Sequence, residues 1–179
     1  TSFVAVMDNS PTQNIGDIAV HWPTHTIYVG TGENNASRSS YAGMGILKST
    51  NKGNSWTQLG LADAHHIGKI EINPNNPNEV VVGVLGPLYS KSETRGIYKT
   101  MNGGQTWIKT LDLPDPTGII ELSVVPNDFN IMYAAAWEKE RKAWDFSASG
   151  AKSGIYKSTD AGNSWTLIST KESGFLQGK

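Results

Sequence analysis

The sequence of 179 residues contains no cysteine, so neither a disulfide framework nor a thiolate metal site can contribute to its fold or chemistry. It has no apolar stretch near the roughly 20 residues that a spanning helix needs, so insertion by such a helix is not expected. Neither charge is in excess: 15 Lys and Arg face 16 Asp and Glu, and no long run of either sign appears. A nucleic-acid footprint or a basic membrane-binding face would need clustered positive charge, so neither is expected as a partner. No segment carries a sustained helical period of apolar residues. The chain opens without Met and without a signal-peptide pattern, which reads as a processed or truncated start.

What is present is a repeat. Ser49-Thr-Asn-Lys-Gly-Asn-Ser-Trp56, Thr100-Met-Asn-Gly-Gly-Gln-Thr-Trp107 and Ser158-Thr-Asp-Ala-Gly-Asn-Ser-Trp165 are versions of one box. Each is preceded by Gly-Ile-x-Lys, at Gly45–Lys48, Gly96–Lys99 and Gly154–Lys157. Further upstream lie paired β-branched runs around Ile15–Val20 and Thr26–Gly30, Ile67–Ile72 and Glu79–Gly83, and Gly118–Val124 and Ile131–Ala135, with Pro-, Asn- and Asp-rich turns between them. Each repeat thus predicts four short antiparallel strands, A to D, and a unit recurring about every 50 residues predicts a propeller blade. Within the box, Asn51, Asn102 and Asp160 can accept hydrogen bonds from their own turn. Gly53, Gly104 and Gly162 supply the positive φ of a hairpin between strands C and D, led by Ser49, Thr100 and Ser158. Trp56, Trp107 and Trp165 offer a flat surface to neighbouring strands. All twelve residues read as structural.

The boxes resemble the Asp-box, or BNR, repeats of sialidases, xyloglucanases and sortilin. With Val29-Gly-Thr-Gly-Glu-Asn-Asn35 and His65-His-Ile-Gly68 the chain is most similar to bacterial sortilin-like propellers, often described as glycosyl hydrolases with BNR repeats. The resemblance implies an all-β fold: a β-propeller with three four-stranded blades and Asp-box C–D hairpins. Three blades would leave open sheet faces, so an interior part of a larger ring of about seven to ten blades is expected. The expected divisions are 1–10 as the last strand of a preceding blade, 14–60, 66–111 and 117–170 as blades, and 171–179 as a connector. The resemblance also implies an extracytoplasmic protein, secreted or at the cell surface, of bacterial origin.

Alternating strand direction places the boxes on one face and the B–C and D–A loops on the other, where binding is expected. That face offers Glu33, Asn34, Asn35, Arg38, His65, His66, Tyr89, Arg95, Trp137, Arg141 and Trp144 as ligand candidates. Glu33, Asn34 and Asn35 could equally satisfy backbone groups at a strand end. Adjacent histidines point to opposite sides of a strand, so His65 and His66 are read as packing or hydrogen-bonding residues and no metal or cofactor is expected. Trp137 and Trp144 could stack on sugars or fold a long loop over the blade. The run Glu138–Lys142 reads as a solvated face, and Asn35-Ala-Ser37 as a glycosylation pattern only in a eukaryotic secretory host.

Three functions fit this reading. The first is a non-catalytic interaction module that recognises a protein, peptide or glycan through its loop face, with the remaining blades of the same chain as its other partner. The alternative is a glycoside hydrolase, which needs two flanking carboxylates. Asp17 and Glu33 are weak catalytic candidates, but no spacing singles out a pair. The three arginines and the missing Phe-Arg-Ile-Pro motif argue against a sialidase. The third is a structural spacer.

Overall fold

The computed structural model describes residues 2–174. Three four-stranded antiparallel sheets follow one another along the chain. The first contains β1 (Ile15–His21), β2 (Thr26–Thr31), β3 (Ile46–Ser49) and β4 (Thr57–Gln58), in that order. The second contains β5 (Ile67–Asn73), β6 (Asn76–Val84), β7 (Gly96–Thr100) and β8 (Ile108–Asp112). The third begins with β9 (Thr117–Val125) and β10 (Asp128–Glu138). A small hairpin of β11 (Glu140–Arg141) and β12 (Phe146–Ser147) then interrupts it. It is completed by β13 (Gly154–Ser158) and β14 (Thr166–Leu167).

The sheets stack through their β-branched faces. Along β6 the side chains alternate between two cores: Val80, Val82 and Val84 join Tyr28, Ile46, Ile67 and Ile70, whereas Val81 joins Ile97, Ile119, Leu122 and Met132. The period of two therefore gives one face of the middle sheet to each neighbour. Each fully buried aliphatic side chain here contributes about 1.5–3 kcal/mol relative to exposure.

The inner strands approach closely enough to require glycine. A Cβ on Gly16 would meet the Ile67 carbonyl oxygen, and one on Gly68 would meet that of Ile119. Ile67 and Ile119 in turn fill the space that the missing side chains of Gly30 and Gly83 leave. Bulges follow Ile15, Ile67 and Ala135, where two residues of the inner strand oppose one of the second strand.

The boxes and the Lys of Gly-Ile-x-Lys tie one sheet to the next. Lys48 Nζ donates forward to Gly103 O (3.2 Å) and Lys99 Nζ to Ala161 O (2.8 Å). Trp107 Nε1 donates backward to Leu59 O (2.6 Å), and Trp165 Nε1 to Thr110 Oγ1 (3.2 Å). Trp56 Nε1 makes the corresponding bond to Val6 O (2.9 Å).

The four-stranded sheets are present, but the β-propeller expectation requires correction. The inner strands pack as β1 on β5 and β5 on β9, and no ring of blades is closed by the described residues. The repeat encodes a sheet and its contact with a neighbour, and both are local. Closure depends on the number of sheets and their angle, which no single repeat carries. The further blades expected as partners from the same chain are likewise not found among the described residues. Among the described residues no strand precedes Ile15: Phe3 is 99% exposed, and Trp56 holds the segment at Val6 O. Residues 175–179 of the expected connector lie outside the described residues.

Candidate functional site

The loops that join second to third strands and fourth strands to the next sheet interlock on one face. Gly43 N donates to His65 O (2.7 Å), Tyr89 Oη to Arg38 O (2.8 Å) and Arg141 Nη2 to Ala36 O (2.9 Å). The boxes lie with the opposite set of turns, where Gly103 N reaches Asn78 O and Ala161 N reaches Asn130 O. In each box the first hydroxyl receives the glycine amide and donates to the Asn or Asp oxygen. That oxygen also receives the amide of Ser55, Thr106 or Ser164, as in Gly162 N–Ser158 Oγ (2.9 Å) and Ser164 N–Asp160 Oδ1 (2.9 Å). The Ser164 hydroxyl and amide hold Asp160 down to about 2.

The structure separates the ligand candidates. Asn34 Nδ2 bridges Gly16 O (3.1 Å) and Gly68 O (3.2 Å), joining the first two inner strands. Asn35 Oδ1 accepts from Ser37 N and Ser40 Oγ inside its own loop. Glu33 is half-buried, and the nearby His66 is buried with no hydrogen-bond partner for its Nδ1 among the described residues. Burial pushes His66 down to about 4, with Lys139 adding to the shift. His65 is half-buried, with φ 58 and its ring centroid 6.4 Å from that of His66. Arg38 is exposed.

Arg95 is only 2% exposed and organises its loop: it donates to Asp115 Oδ1 (2.8 Å), Pro87 O (2.6 Å) and Leu85 O. Trp137 lies at the end of β10, donates to Ala148 O (2.7 Å) and meets Phe146 edge-on at 6.1 Å, so it folds the long loop. Arg141 lies over the Phe146 ring at 3.7 Å. Tyr89 (54% exposed) and Trp144 (82% exposed) remain open to solvent. They line a cavity of about 460 Å³ with Arg95, Asp115, Lys139 and Arg141.

A second feature lies on the inner strands. Asp17, Lys69 and Glu121 occupy corresponding positions of β1, β5 and β9, each two residues after the bulge isoleucine. Lys69 Nζ is 3.4 Å from Asp17 and 4.0 Å from Glu121. Asp17 Oδ2 also accepts from Ile70 N (2.8 Å). Two residues on, the half-buried Glu71 is pushed up to about 7 by burial. Lys69 opposes that shift, and Asp17 and Glu121 add to it. Glu71 was not among the sequence candidates. Its alternation with Lys69 was visible, but its burial depends on the neighbouring sheet.

Among the described residues no group of His, Asp and Glu could hold a metal ion, and no helix is long and apolar enough to cross a membrane. No family model and no curated protein matches the sequence. The fold is similar to two solved bacterial structures. With the GH74 xyloglucanase of Xanthomonas campestris the TM-score is 0.59 at 15% identity, over 87% of this chain and 21% of that one. With a GH74 enzyme of Niastella koreensis the TM-score is 0.54 at 23% identity, over 87% of this chain and 22% of that one. The chain thus spans about a fifth of the length of either neighbour. These neighbours correct the kinship with sortilin-like BNR propellers, and both are glycosidases where a non-catalytic module recognising a protein, peptide or glycan was expected. The fold that this chain shares is that of GH74 enzymes.

Proposed function

We propose that the chain is part of a glycoside hydrolase acting on a polysaccharide, with xyloglucan as the first substrate class to test. The fold likeness to GH74 enzymes supports the choice of chemistry. The observation that carries the reading is the placement of two carboxyl groups, Asp17 and Glu71, on the neighbouring inner strands β1 and β5, where Lys69 acts on both. Glycosidic bond cleavage needs one carboxyl that holds its proton and one that stays ionised. Glu71, pushed up to about 7 mainly by burial, supplies the proton donor. Asp17, paired with Lys69 and the Ile70 amide, supplies the second carboxylate. Lys69 keeps Asp17 and Glu121 in place and limits their mutual repulsion. The exposed rings of Tyr89 and Trp144 on the loop face offer flat surfaces for sugar rings.

The test is release of reducing ends from xyloglucan by the purified protein. Glu71→Gln is expected to lower the rate by at least about 100-fold while oligosaccharide binding persists. The rate should fall as pH rises through about 7, because the proton on Glu71 is then lost. Binding of xyloglucan without any bond cleavage, in wild type and variant alike, would defeat the assignment.

A further inference from the structure

The cavity on the loop face is lined by a cation that no carboxylate among the described residues pairs with. It lies between the loop that follows β6 and the β11–β12 hairpin, and five cationic side chains line it against three carboxylates. Each carboxylate is already engaged. Asp115 pairs with Arg95 (2.8 Å), Glu140 with Lys142 (3.4 Å), and Glu138 Oε2 accepts from Lys152 N (2.6 Å). Lys139 is left over. It is 2% exposed, and among the described residues its ammonium has no hydrogen-bond or ion-pair partner. It stands 5.9 Å from the centroid of the Trp137 ring. Arg141, in the same lining, has a buried Nε–H without an acceptor.

A buried charge without a partner is costly, and an anion that enters the site removes that cost. We propose that this cavity binds the carboxylate of an acidic sugar unit, with Lys139 and Arg141 as its anion partners and Trp144 as the face on which the ring stacks. The inference rests on the hydrolase reading and adds a substrate class to it, a polysaccharide bearing uronic acid residues. A guanidinium and an ammonium together suit a planar carboxylate, and an exposed indole beside them suits the apolar face of a pyranose.

The charge of Lys139 ties recognition to pH. Burial, together with Arg95 and Arg141, lowers Lys139 to about 8, and Asp115 opposes the shift. His66 also faces this group and stays neutral above about 4. A bound carboxylate favours the ammonium form, so binding takes up protons near pH 8 and weakens as pH rises towards 10.

The experiment is calorimetric titration of the protein with two oligosaccharides of equal length, one bearing a glucuronate unit and one neutral, at pH 6.5 and 9.5. At pH 6.5 the glucuronate form is expected to bind at least tenfold more tightly, and at pH 9.5 this preference should shrink severalfold. Lys139→Met removes a buried charge and leaves a side chain of similar length, so it should fold, which near-UV circular dichroism checks. It should abolish the preference without weakening the neutral oligosaccharide. Arg141→Gln should reduce the preference in part. Equal affinities in wild type, or a preference retained in Lys139→Met, would overturn the proposal. Inorganic phosphate binding as tightly as the glucuronate form would overturn the sugar assignment. Cleavage of neutral xyloglucan without acid preference would sink this inference alone, whereas acid preference without cleavage would sink the hydrolase reading alone.

Discussion

Asp160 shows how little of a box depends on charge. It is the one carboxylate among three otherwise matching turns, and Asn51 and Asn102 make the same amide contacts. Asp160→Asn should therefore change stability by less than about 1 kcal/mol, whereas Asp160→Ala should cost on the order of 1–3 kcal/mol. Chemical denaturation distinguishes the two. His66 gives a pH-dependent test at the same scale. Its folded value of about 4 lies below its ordinary 6.5, so the folded state disfavours the imidazolium. Stability from this group is fully present above pH 6.5 and is lost as pH falls towards 4. The difference in melting temperature between wild type and His66→Gln, in which Glu71 and other common groups cancel, should move against wild type as pH falls from 7 to 4. Glu71 has the opposite sign. Its folded value is raised to about 7, so its contribution is full below about 4.5 and is lost as pH rises through 7. Glu71→Gln should thus be relatively more stable at pH 8 than at pH 5.

Individual strands were legible in the sequence because β-branched runs and turn residues are local signals. Val80-Val81-Val82 predicts a strand in isolation, and the Asn-Gly and Asp-Ala-Gly boxes predict their hairpins. The β11–β12 hairpin was not legible, since Glu140–Arg141 and Phe146–Ser147 are too short to show alternation. Arg95 could not be placed either: its sequence context is an exposed-looking loop, yet carbonyls from that same loop turn inward to satisfy it. Lys99 is a further case. The Gly-Ile-x-Lys motif does not show what its Lys meets, yet Lys99 is buried, 2.9 Å from the buried Glu79, and it reaches the third box. Removing one member of a buried pair leaves the other uncompensated. Lys99→Met should therefore destabilise the protein by about 3–5 kcal/mol, measurable by urea denaturation, and the loss should shrink when Glu79→Gln is added.

Across the whole molecule, sheet spacing rather than sheet content decides what the chain can tolerate. Gly68 lies against the Ile119 carbonyl, and backbone cannot move aside as a side chain can. Gly68→Ala should cost more than Gly83→Ala, where the obstacle is the Ile119 side chain, with overpacking of about 1–3 kcal/mol as the scale. The sequence contained these glycines but not their partners, which belong to the next repeat. For the same reason the carboxyl row of Asp17, Glu71 and Glu121 was only one-third visible: the three residues are far apart in sequence and meet only when inner strands lie side by side.

Lys48 and Lys99 clasp forward while Trp107 and Trp165 clasp backward. The chain is therefore a short one-dimensional lattice in which each sheet's persistence is conditional on the sheets beside it. In such a lattice the site with two neighbours outlasts those with one, and openings spread inwards from an end. Amide exchange should be slowest in β5 and β6, whose side chains supply both cores, and severing a single lysine clasp should quicken exchange on both sides of that junction.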